Sequence, residues 1–422
     1  MKDVFILGGV RTPFVKSFTS YSGVSTRELM ELSLNELVRR FHLEGVLIDD
    51  VALGALITSA SNWNLARETV LSSKLSPATP AYNVQRACGT SLEAAFQLFA
   101  KIKIGSIDTA IAGGVDTNSD VPVEVNKALR DTILAVKHAR TFQQKLTALS
   151  GTDFSKLGFS TPGVVEPRTG LSMGQHCELM VKEWKVSQRE QDEVALMSHR
   201  NAHQAYGSGF YSDLLIPVRG IERDGFVRGD TTLEKLAALK PAFDKENGTI
   251  TAGNASPLSD GSSAVLLSSR EGAEKLSLRP LAKLIDVQAS AVDFVGGEGL
   301  LMAPTIAVEK LLRRNGLKLQ DFDIYEIHEA FAGQVVCTLK AWNSDSYCQS
   351  KLGVGQRLGE IDLSKMNVVG GSLALGHPFA ATGGRILSSI AKLVSGSKKR
   401  GLISICTAGG MGIAAIVEGV ES

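Results

Sequence analysis

The chain has 422 residues, of which 44% are hydrophobic, only 6% are aromatic and 42 are glycine. This length can bury two or three domain-sized cores, and the composition is typical of a closely packed α/β protein. The 45 basic and 44 acidic residues leave a formal net charge of +1, which excludes a global electrostatic field for nucleic acid. Any anionic ligand must therefore be bound by local groups.

The five cysteines indicate a reducing compartment. They form no CxxC pair and their number is odd, which argues against a disulfide framework or a zinc site. No apolar run approaches the roughly 18–20 residues that a membrane-spanning helix needs. The first residues resemble a strand rather than a signal or transit peptide. We therefore expect a cytoplasmic protein of bacterial type, or a mature form that has lost a mitochondrial transit peptide.

The first 119 residues alternate strand and helix patterns. Strands are predicted at 4–8, 51–57 and 109–114, and helices at 25–41, 66–75 and 89–104. Ser25 and Glu28 stand in capping-box spacing at the start of the first helix. This alternation is typical of a mostly parallel sheet covered by helices.

One cysteine lies where a strand-like run meets a helix. Small and extended residues at 80–87 deliver Cys88 to the first turn of the helix predicted at 89–104. The free N–H groups and the dipole of a helix N-terminus favour a thiolate, and each unit of pKa lowering corresponds to about 1.4 kcal/mol. A lone cysteine is more often a buried, inert residue, so this position alone leaves both interpretations open.

Residues 120–248 differ from the Gly-rich segments on either side. Their helical patterns at 124–159 and 172–206 indicate an inserted domain, and the first of these patterns is basic and amphipathic. It could pack within the inserted domain, dock a partner or adhere to an anionic membrane surface.

From about residue 278 the first pattern recurs. Strands are predicted at 281–287, 323–328, 367–370, 401–406 and 412–418, and helices at 305–314, 330–342 and 381–394. Two similar halves would place their corresponding loops side by side about a pseudo-dyad. We therefore divide the chain into a first half (1–119 with 249–276), an inserted domain (120–248) and a second half (277–422).

Four places carry groups suited to chemistry: Cys88; His377 between Gly376 and Pro378; Cys406 at the start of Cys-Thr-Ala-Gly-Gly; and His328 with Glu329 at a strand-to-helix junction. Taken singly, each has a structural explanation as a helix cap, a core thiol or a carboxylate that compensates a helix dipole. The other cysteines, Cys177, Cys337 and Cys348, fit such structural roles best.

Together these segments resemble the thiolase family. Residues 83–95 are similar to its nucleophile segment, and Gly376-His-Pro and Cys406-x-x-Gly-Gly to its other catalytic blocks. The loop Ala252-Gly-Asn-Ala-Ser256 is similar to that around its pantetheine site. The resemblance runs in order from Val4 to Val417 and implies a five-layered αβαβα core of two similar halves, with an inserted, mainly helical loop domain.

The resemblance also implies a set of roles. Cys88 would be the acyl-accepting nucleophile, His377 its base, and Cys406 the acid for the departing acetyl-CoA carbanion and the base for incoming CoA. His328 would hold a water that, with His377, stabilises the enolate oxygen, while the N–H groups of Cys88 and Ala408 would form a second oxyanion hole. Expected substrate or CoA contacts are Ser256, Met173, Ala255 and Phe331. Candidate partners of the CoA phosphates are Arg219, Arg223, Arg228 and Lys240.

Two positions depart from the common family pattern. His328-Glu-Ala-Phe replaces Asn-Glu-Ala-Phe, and Ala408 stands where the family commonly has glycine. The histidine form, the insertion at 124–167 and the polar stretch 343–365 resemble β-subunits of fatty-acid oxidation complexes. Such subunits pair with a hydratase/dehydrogenase α-subunit.

The resemblance thus implies a 3-ketoacyl-CoA thiolase of fatty-acid β-oxidation that uses CoA as a substrate, with no bound cofactor or metal. Expected partners are a second copy in a homodimer or tetramer, an α-subunit and a peripheral membrane contact, but no nucleic acid. The alternatives are an acetoacetyl-CoA thiolase working in the condensing direction and an inactive thiolase-like scaffold that binds CoA or a partner. A 3-ketoacyl synthase is disfavoured, since its decarboxylating site would require a second histidine at the position of Cys406.

Overall fold

The two halves of the chain contribute strands to one sheet in a repeated order. The computed structural model describes residues 1–421. The strands are β1 (Phe5–Arg11), β2 (Val15–Lys16), β3 (Asp50–Gly54), β4 (Ala81–Asn83), β5 (Thr109–Asp116), β6 (Glu124–Val125), β7 (Phe159–Ser160), β8 (Ser259–Ser268), β9 (Ala282–Ala291), β10 (Ile324–Ile327), β11 (Arg400–Thr407) and β12 (Met411–Gly419).

Helices lie between most of these strands. They are α1 (Thr26–Arg40), α2 (Leu65–Leu71), α3 (Thr90–Lys103), α4 (Lys127–His138), α5 (Phe142–Ser150), α6 (Met173–Glu183), α7 (Gln188–Gly207), α8 (Leu233–Ala237), α9 (Arg270–Lys275), α10 (Ala303–Asn315), α11 (Ala332–Trp342), α12 (Asp345–Tyr347), α13 (Ser372–Leu375) and α14 (Thr382–Val394). The capping box predicted at Ser25 and Glu28 is present at the start of α1. No helix in residues 1–421 is long and apolar enough to cross a membrane.

The strand order confirms the predicted repeat. The first half runs β4-β3-β5-β8-β1, and the second half runs β10-β11-β12-β9. Phe5 and Ile6 of β1 pair with Lys283 and Ala282 of β9 and join the two parts. In the second half Met366 forms a parallel bridge to β10, in the place that β4 holds beside β3.

The sheet is mixed, so the prediction of a mostly parallel sheet is wrong. β3 pairs in parallel with β4 and β5, and β10 with β11, but β5–β8, β1–β8, β11–β12 and β9–β12 are antiparallel. Only three residues connect β11 to β12, and a connection that short permits only an antiparallel pair.

Helices fill the space between the two halves of the sheet and cover both outer faces. Alternate residues of β3 face different layers: Ala52 packs with α3 and α14, whereas Val51 and Leu53 pack with α1 and α2. On the opposite side α10 and α11 pack on the second half of the sheet. This arrangement is the predicted five-layered αβαβα core.

The predicted strand at 367–370 is wrong for a local reason. Asn367 adopts a positive φ of 48°. Its side-chain amide accepts from the Ile327 N–H and donates to the Ile327 carbonyl, both at 2.9 Å. One side chain thus takes the place of a strand in pairing with β10.

The inserted segment contains two different kinds of helix. α6 and α7 pack with α11 and contribute to the core. By contrast, α4 and α5, with the β6–β7 pair at their base, form an insertion hairpin (residues 124–160) in which neither helix has a buried residue. This first block therefore adds no fully buried helix residue to the inserted domain, and the interpretation that it packs there stays a prediction. The domain boundaries derived from the sequence stay a prediction.

Candidate functional site

An apolar cavity of about 250 Å³ lies where the two halves meet. Three of the four predicted chemical positions line it, Cys88 from the first half and His377 and Cys406 from the second. The remaining lining residues are Val164, Ser172, Met173, Gly174, Phe243, Ser256, Leu258, Leu301, Ala330, Phe331, Phe379 and Thr407. The fold thus gathers residues from distant parts of the chain, while the inserted segment supplies part of the wall.

Cys88 occupies a tight turn immediately before α3. The turn spans Ala87–Gly89, and its first residue, Ala87, has a positive φ of 43°, which is uncommon for a residue with a side chain. The Thr90 hydroxyl fastens the turn by donating to the Ala87 carbonyl at 2.7 Å and accepting from the Arg86 N–H at 2.9 Å. At Gly89 a Cβ would lie 2.8 Å from the Ile413 side chain, so glycine allows the turn to approach β12.

The Cys88 thiol is protonated in the unliganded protein. Burial raises its pKa to about 12, although the backbone N–H groups of Ala408 and of Cys88 itself act in the opposite direction. The N–H groups act in the direction that the helix-terminus argument gave, but burial outweighs them. Both N–H groups predicted for an oxyanion hole do, however, face this sulfur.

His377 is fixed from several sides. Its backbone N–H donates to the Ser259 hydroxyl at 3.0 Å, and its Nδ1 lies 2.6 Å from the Thr382 hydroxyl. The preceding Gly376 has a φ of 99°, a conformation that favours glycine. Burial, and next the Arg385 charge, lower the pKa of His377 to about 3, so its ring is neutral near neutral pH.

Cys406 ends β11 opposite Gly412 and shares the cavity with Cys88. Burial, and next the proximity of Cys88, hold the pKa of the Cys406 thiol well above its usual value. The turn that follows is fixed from the inserted segment, where the Glu166 carboxylate accepts from the Gly409 N–H at 2.7 Å. Both thiols are therefore protonated before substrate binds.

His328 is completely buried and does not line the cavity. Its ring lies behind His377, with 4.3 Å between the ring centroids, and its Nδ1 lies 3.0 Å from the Ser372 hydroxyl. Burial, followed by the proximity of His377 and Arg385, holds the pKa of His328 well below its usual value. The neighbouring Glu329 accepts hydrogen bonds from Ser198 and Asn367, each within 2.7 Å.

The predicted pantetheine loop lies directly beside the catalytic candidates. The Ser256 N–H donates to the Ala330 carbonyl at 3.0 Å, and Ala255 forms a bridge with Phe331. Ser256, Met173 and Phe331 line the cavity, whereas Ala255 does not. The cavity wall, as far as the described residues 1–421 form it, includes none of the four basic candidates for the CoA phosphates: Arg219, Arg223, Arg228 and Lys240.

Sequence reasoning missed Asp116 and Glu166. The buried Asp116 carboxylate accepts from the N–H groups of Leu56, Ile57 and Ala380, and so links the end of β5 to the turn that follows His377. Burial raises the pKa of Asp116 to about 7. Asp116 could have been identified from the sequence as a polar residue at the end of a buried strand. No pattern in the sequence near Glu166 indicates its contact with Gly409.

We expect iodoacetamide to alkylate Cys88 slowly at neutral pH. Above pH 8 the alkylation rate should rise about tenfold per pH unit. The reason is that the thiolate fraction of a thiol with a raised pKa increases without a plateau in this range. Peptide mass spectrometry measures the rate at Cys88, with glutathione as the control thiol of ordinary pKa. A plateau in the rate below pH 8 would contradict the protonated thiol.

Comparisons with known proteins agree with this geometry. Residues 4–271 match the family model "Thiolase, N-terminal domain", and residues 278–419 match "Thiolase, C-terminal domain". A 3-ketoacyl-CoA thiolase of Yersinia enterocolitica is 40% identical over 422 residues, covering 98% of this chain and 96% of the relative. A 3-ketoacyl-CoA thiolase of Shewanella baltica is 39% identical over 425 residues, with the same coverage of each chain.

Solved structures show the same similarity. The Bacillus anthracis acetyl-CoA acetyltransferase superimposes with a TM-score of 0.82 at 30% identity, covering 100% of this chain and 99% of that one. The human mitochondrial 3-ketoacyl-CoA thiolase gives a TM-score of 0.81 at 27% identity, with 99% of each chain covered. Because both family models match in order and the relatives span nearly its full length, the chain belongs to the thiolase family.

Proposed function

We propose that this protein is a 3-ketoacyl-CoA thiolase, an acyltransferase that cleaves 3-oxoacyl-CoA with CoA. The products are acetyl-CoA and an acyl-CoA shortened by two carbons. The observation that carries this proposal is the meeting of Cys88, His377 and Cys406 in one apolar cavity. The names of relatives that match along nearly the whole chain support it.

The first half-reaction transfers the acyl group to the protein. In this proposal Cys88 passes its proton to the neutral His377, and its sulfur attacks the C3 carbonyl of the substrate. The C2–C3 bond then breaks, the acyl group stays on Cys88 as a thioester, and the acetyl-CoA carbanion takes a proton from Cys406. The raised pKa of Cys406 suits this step, because it keeps the proton in place until the strongly basic carbanion forms.

The second half-reaction returns the acyl group to CoA. The Cys406 thiolate removes the proton of the CoA thiol, whose sulfur attacks the Cys88 thioester. The shortened acyl-CoA leaves, and the Cys88 thiolate regains its proton from His377. The N–H groups of Cys88 and Ala408 would stabilise the tetrahedral intermediates, a contribution of about 10²–10³ in rate per donor.

The cavity wall favours longer acyl chains over acetoacetyl-CoA. Phe243, Leu258 and Leu301 add apolar surface to it, and each buried CH₂ group contributes about 0.8 kcal/mol. We therefore expect kcat/KM for 3-oxohexadecanoyl-CoA to exceed that for acetoacetyl-CoA in a thiolysis assay. The reverse order would favour the condensing acetoacetyl-CoA enzyme, and CoA binding without turnover of either substrate would favour the inactive scaffold.

We further propose that the insertion hairpin docks a hydratase/dehydrogenase α-subunit. Its large exposed apolar side chains support this, since Phe142, Phe154 and Phe159 are 81%, 65% and 73% exposed. A homodimer or tetramer and a cytoplasmic location complete the proposal. An anionic membrane surface is the alternative partner of the hairpin, because the hairpin also carries several basic side chains: Lys127, Arg130, Lys137, Arg140, Lys145 and Lys156.

Co-expression with such an α-subunit tests the hairpin. We expect a joint complex on size-exclusion chromatography that is lost when Phe142, Phe154 and Phe159 are all changed to serine. Phe18→Ser is the matched control, because Phe18 is 67% exposed but lies outside the hairpin. Flotation with phosphatidylglycerol vesicles, but no joint complex, would instead identify the membrane as the occupant.

A further inference from the structure

A buried chain of polar side chains lies behind His377 and ends on His328. Arg385 Nη2 donates to the Ser372 hydroxyl oxygen at 3.2 Å, and that oxygen lies 3.0 Å from His328 Nδ1. Ser372 and His328 are completely buried and Arg385 is 1% exposed. The three residues come from α13, from the end of β10 and from α14, so the tertiary fold assembles this chain.

The direction of each hydrogen bond follows from which groups can donate. A guanidinium has donors only, so the Ser372 oxygen must accept from Arg385. Within residues 1–421 the Ser372 hydroxyl has no acceptor other than His328 Nδ1. If Nδ1 carried the proton, both the Ser372 O–H and the Nε2 lone pair would be buried without a partner, whereas a proton on Nε2 leaves only that N–H without one. The Ser372 hydroxyl therefore donates to Nδ1, and the proton of the neutral ring is on Nε2.

The charges around His328 oppose a second proton on its ring. Arg385 carries a permanent positive charge, and its ion pair with Glu326 is loose, with 3.7 Å between Nη1 and Oε2. His377, whose ring packs against that of His328, is itself the proposed acceptor of the Cys88 proton and would then also carry a positive charge. Nε2 of His328 is buried, and residues 1–421 supply no hydrogen-bond partner for it.

We propose that Ser372 and Arg385 are positioning residues that hold His328 as the neutral Nε2–H tautomer. In this form Nε2 is a hydrogen-bond donor and has no lone pair with which to act as a base. The ring can then donate from Nε2 to a water that serves the reacting oxygen, as the carboxamide N–H of the common asparagine would. The tautomer is a property of the free protein, whereas the effect on the reaction rests on the proposed function.

Nitrogen-15 NMR of protein labelled in its histidines tests the tautomer without any substrate. Long-range ring correlations, with His328 identified by the loss of its signals in His328→Gln, should show the proton on Nε2 and none on Nδ1 at neutral pH. In Ser372→Ala we expect a mixture of the two tautomers, and in Ser372→Thr the wild-type pattern. A proton on Nδ1 in the wild-type protein would overturn the proposal, whatever the enzyme turns over.

A kinetic measurement tests the consequence. Ser372→Ala should slow the exchange of acetyl-CoA α-protons about tenfold, with KM for CoA changed by no more than about twofold, and Ser372→Thr should restore the rate. Ser389→Ala is the matched control, because it removes another buried hydroxyl of the same region that contacts no catalytic candidate. Exchange in Ser372→Ala at the Ser389→Ala rate, with an unchanged tautomer, would refute the positioning role.

Discussion

Cys88→Ala is expected to abolish the covalent acyl-enzyme and to lower thiolysis by about 10⁴-fold or more, with the fold intact. The substitution removes the sulfur that faces the N–H groups of Cys88 and Ala408. A water molecule in its place could not retain the acyl group on the protein. Intact-mass spectrometry after incubation with a 3-oxoacyl-CoA should show one acyl adduct on the wild-type chain and none on the variant.

The matched control is Cys177→Ala, which removes another buried thiol from the same chain. Cys177 lies in α6 and is not part of the cavity wall. This control should acylate like the wild type, and both variants should unfold within a few degrees of each other. An acyl adduct on the Cys88→Ala protein would remove Cys88 from the role of nucleophile.

The features that the sequence predicted correctly depend on local patterns. The Ser25 capping box, the strand-to-helix position of Cys88 and the Gly376-His377-Pro378 segment can each be identified within a few residues. The recurrence of strand and helix patterns also predicted the two halves, because each half buries its own apolar faces. The meeting of Cys88, His377 and Cys406 then followed from the family resemblance.

The features that the sequence did not predict depend on contacts between distant segments. The protonated state of Cys88 results from burial in the tertiary fold, which no helix-terminus argument contains. Glu166 reaches Gly409 across 243 positions of the chain. Asn367 replaces a strand only because Ile327 lies beside it. Each of these contacts involves a polar group whose partner is defined by the tertiary fold.

Cys406→Ala should separate the two halves of the reaction. We expect the variant still to form the acyl-enzyme on Cys88, although slowly, and to lose the exchange of acetyl-CoA α-protons by about 10²–10⁴-fold. The reason is that His377 remains to accept the Cys88 proton, while the buried thiol that delivers a proton to the carbanion is gone. Incubation of acetyl-CoA in deuterium oxide, followed by mass spectrometry, measures this exchange.

The variants should differ in which of the two activities, acylation or α-proton exchange, they lose. Cys88→Ala should lose acylation altogether, whereas Cys406→Ala should keep acylation and lose exchange. Cys337→Ala, which removes a completely buried thiol of α11 outside the cavity wall, should keep both. Exchange at the wild-type rate in Cys406→Ala would assign the proton transfer to another group, of which His377 is the nearest candidate because it lines the same cavity. Loss of acylation in Cys406→Ala would instead mean that this thiol takes part in the attack by Cys88.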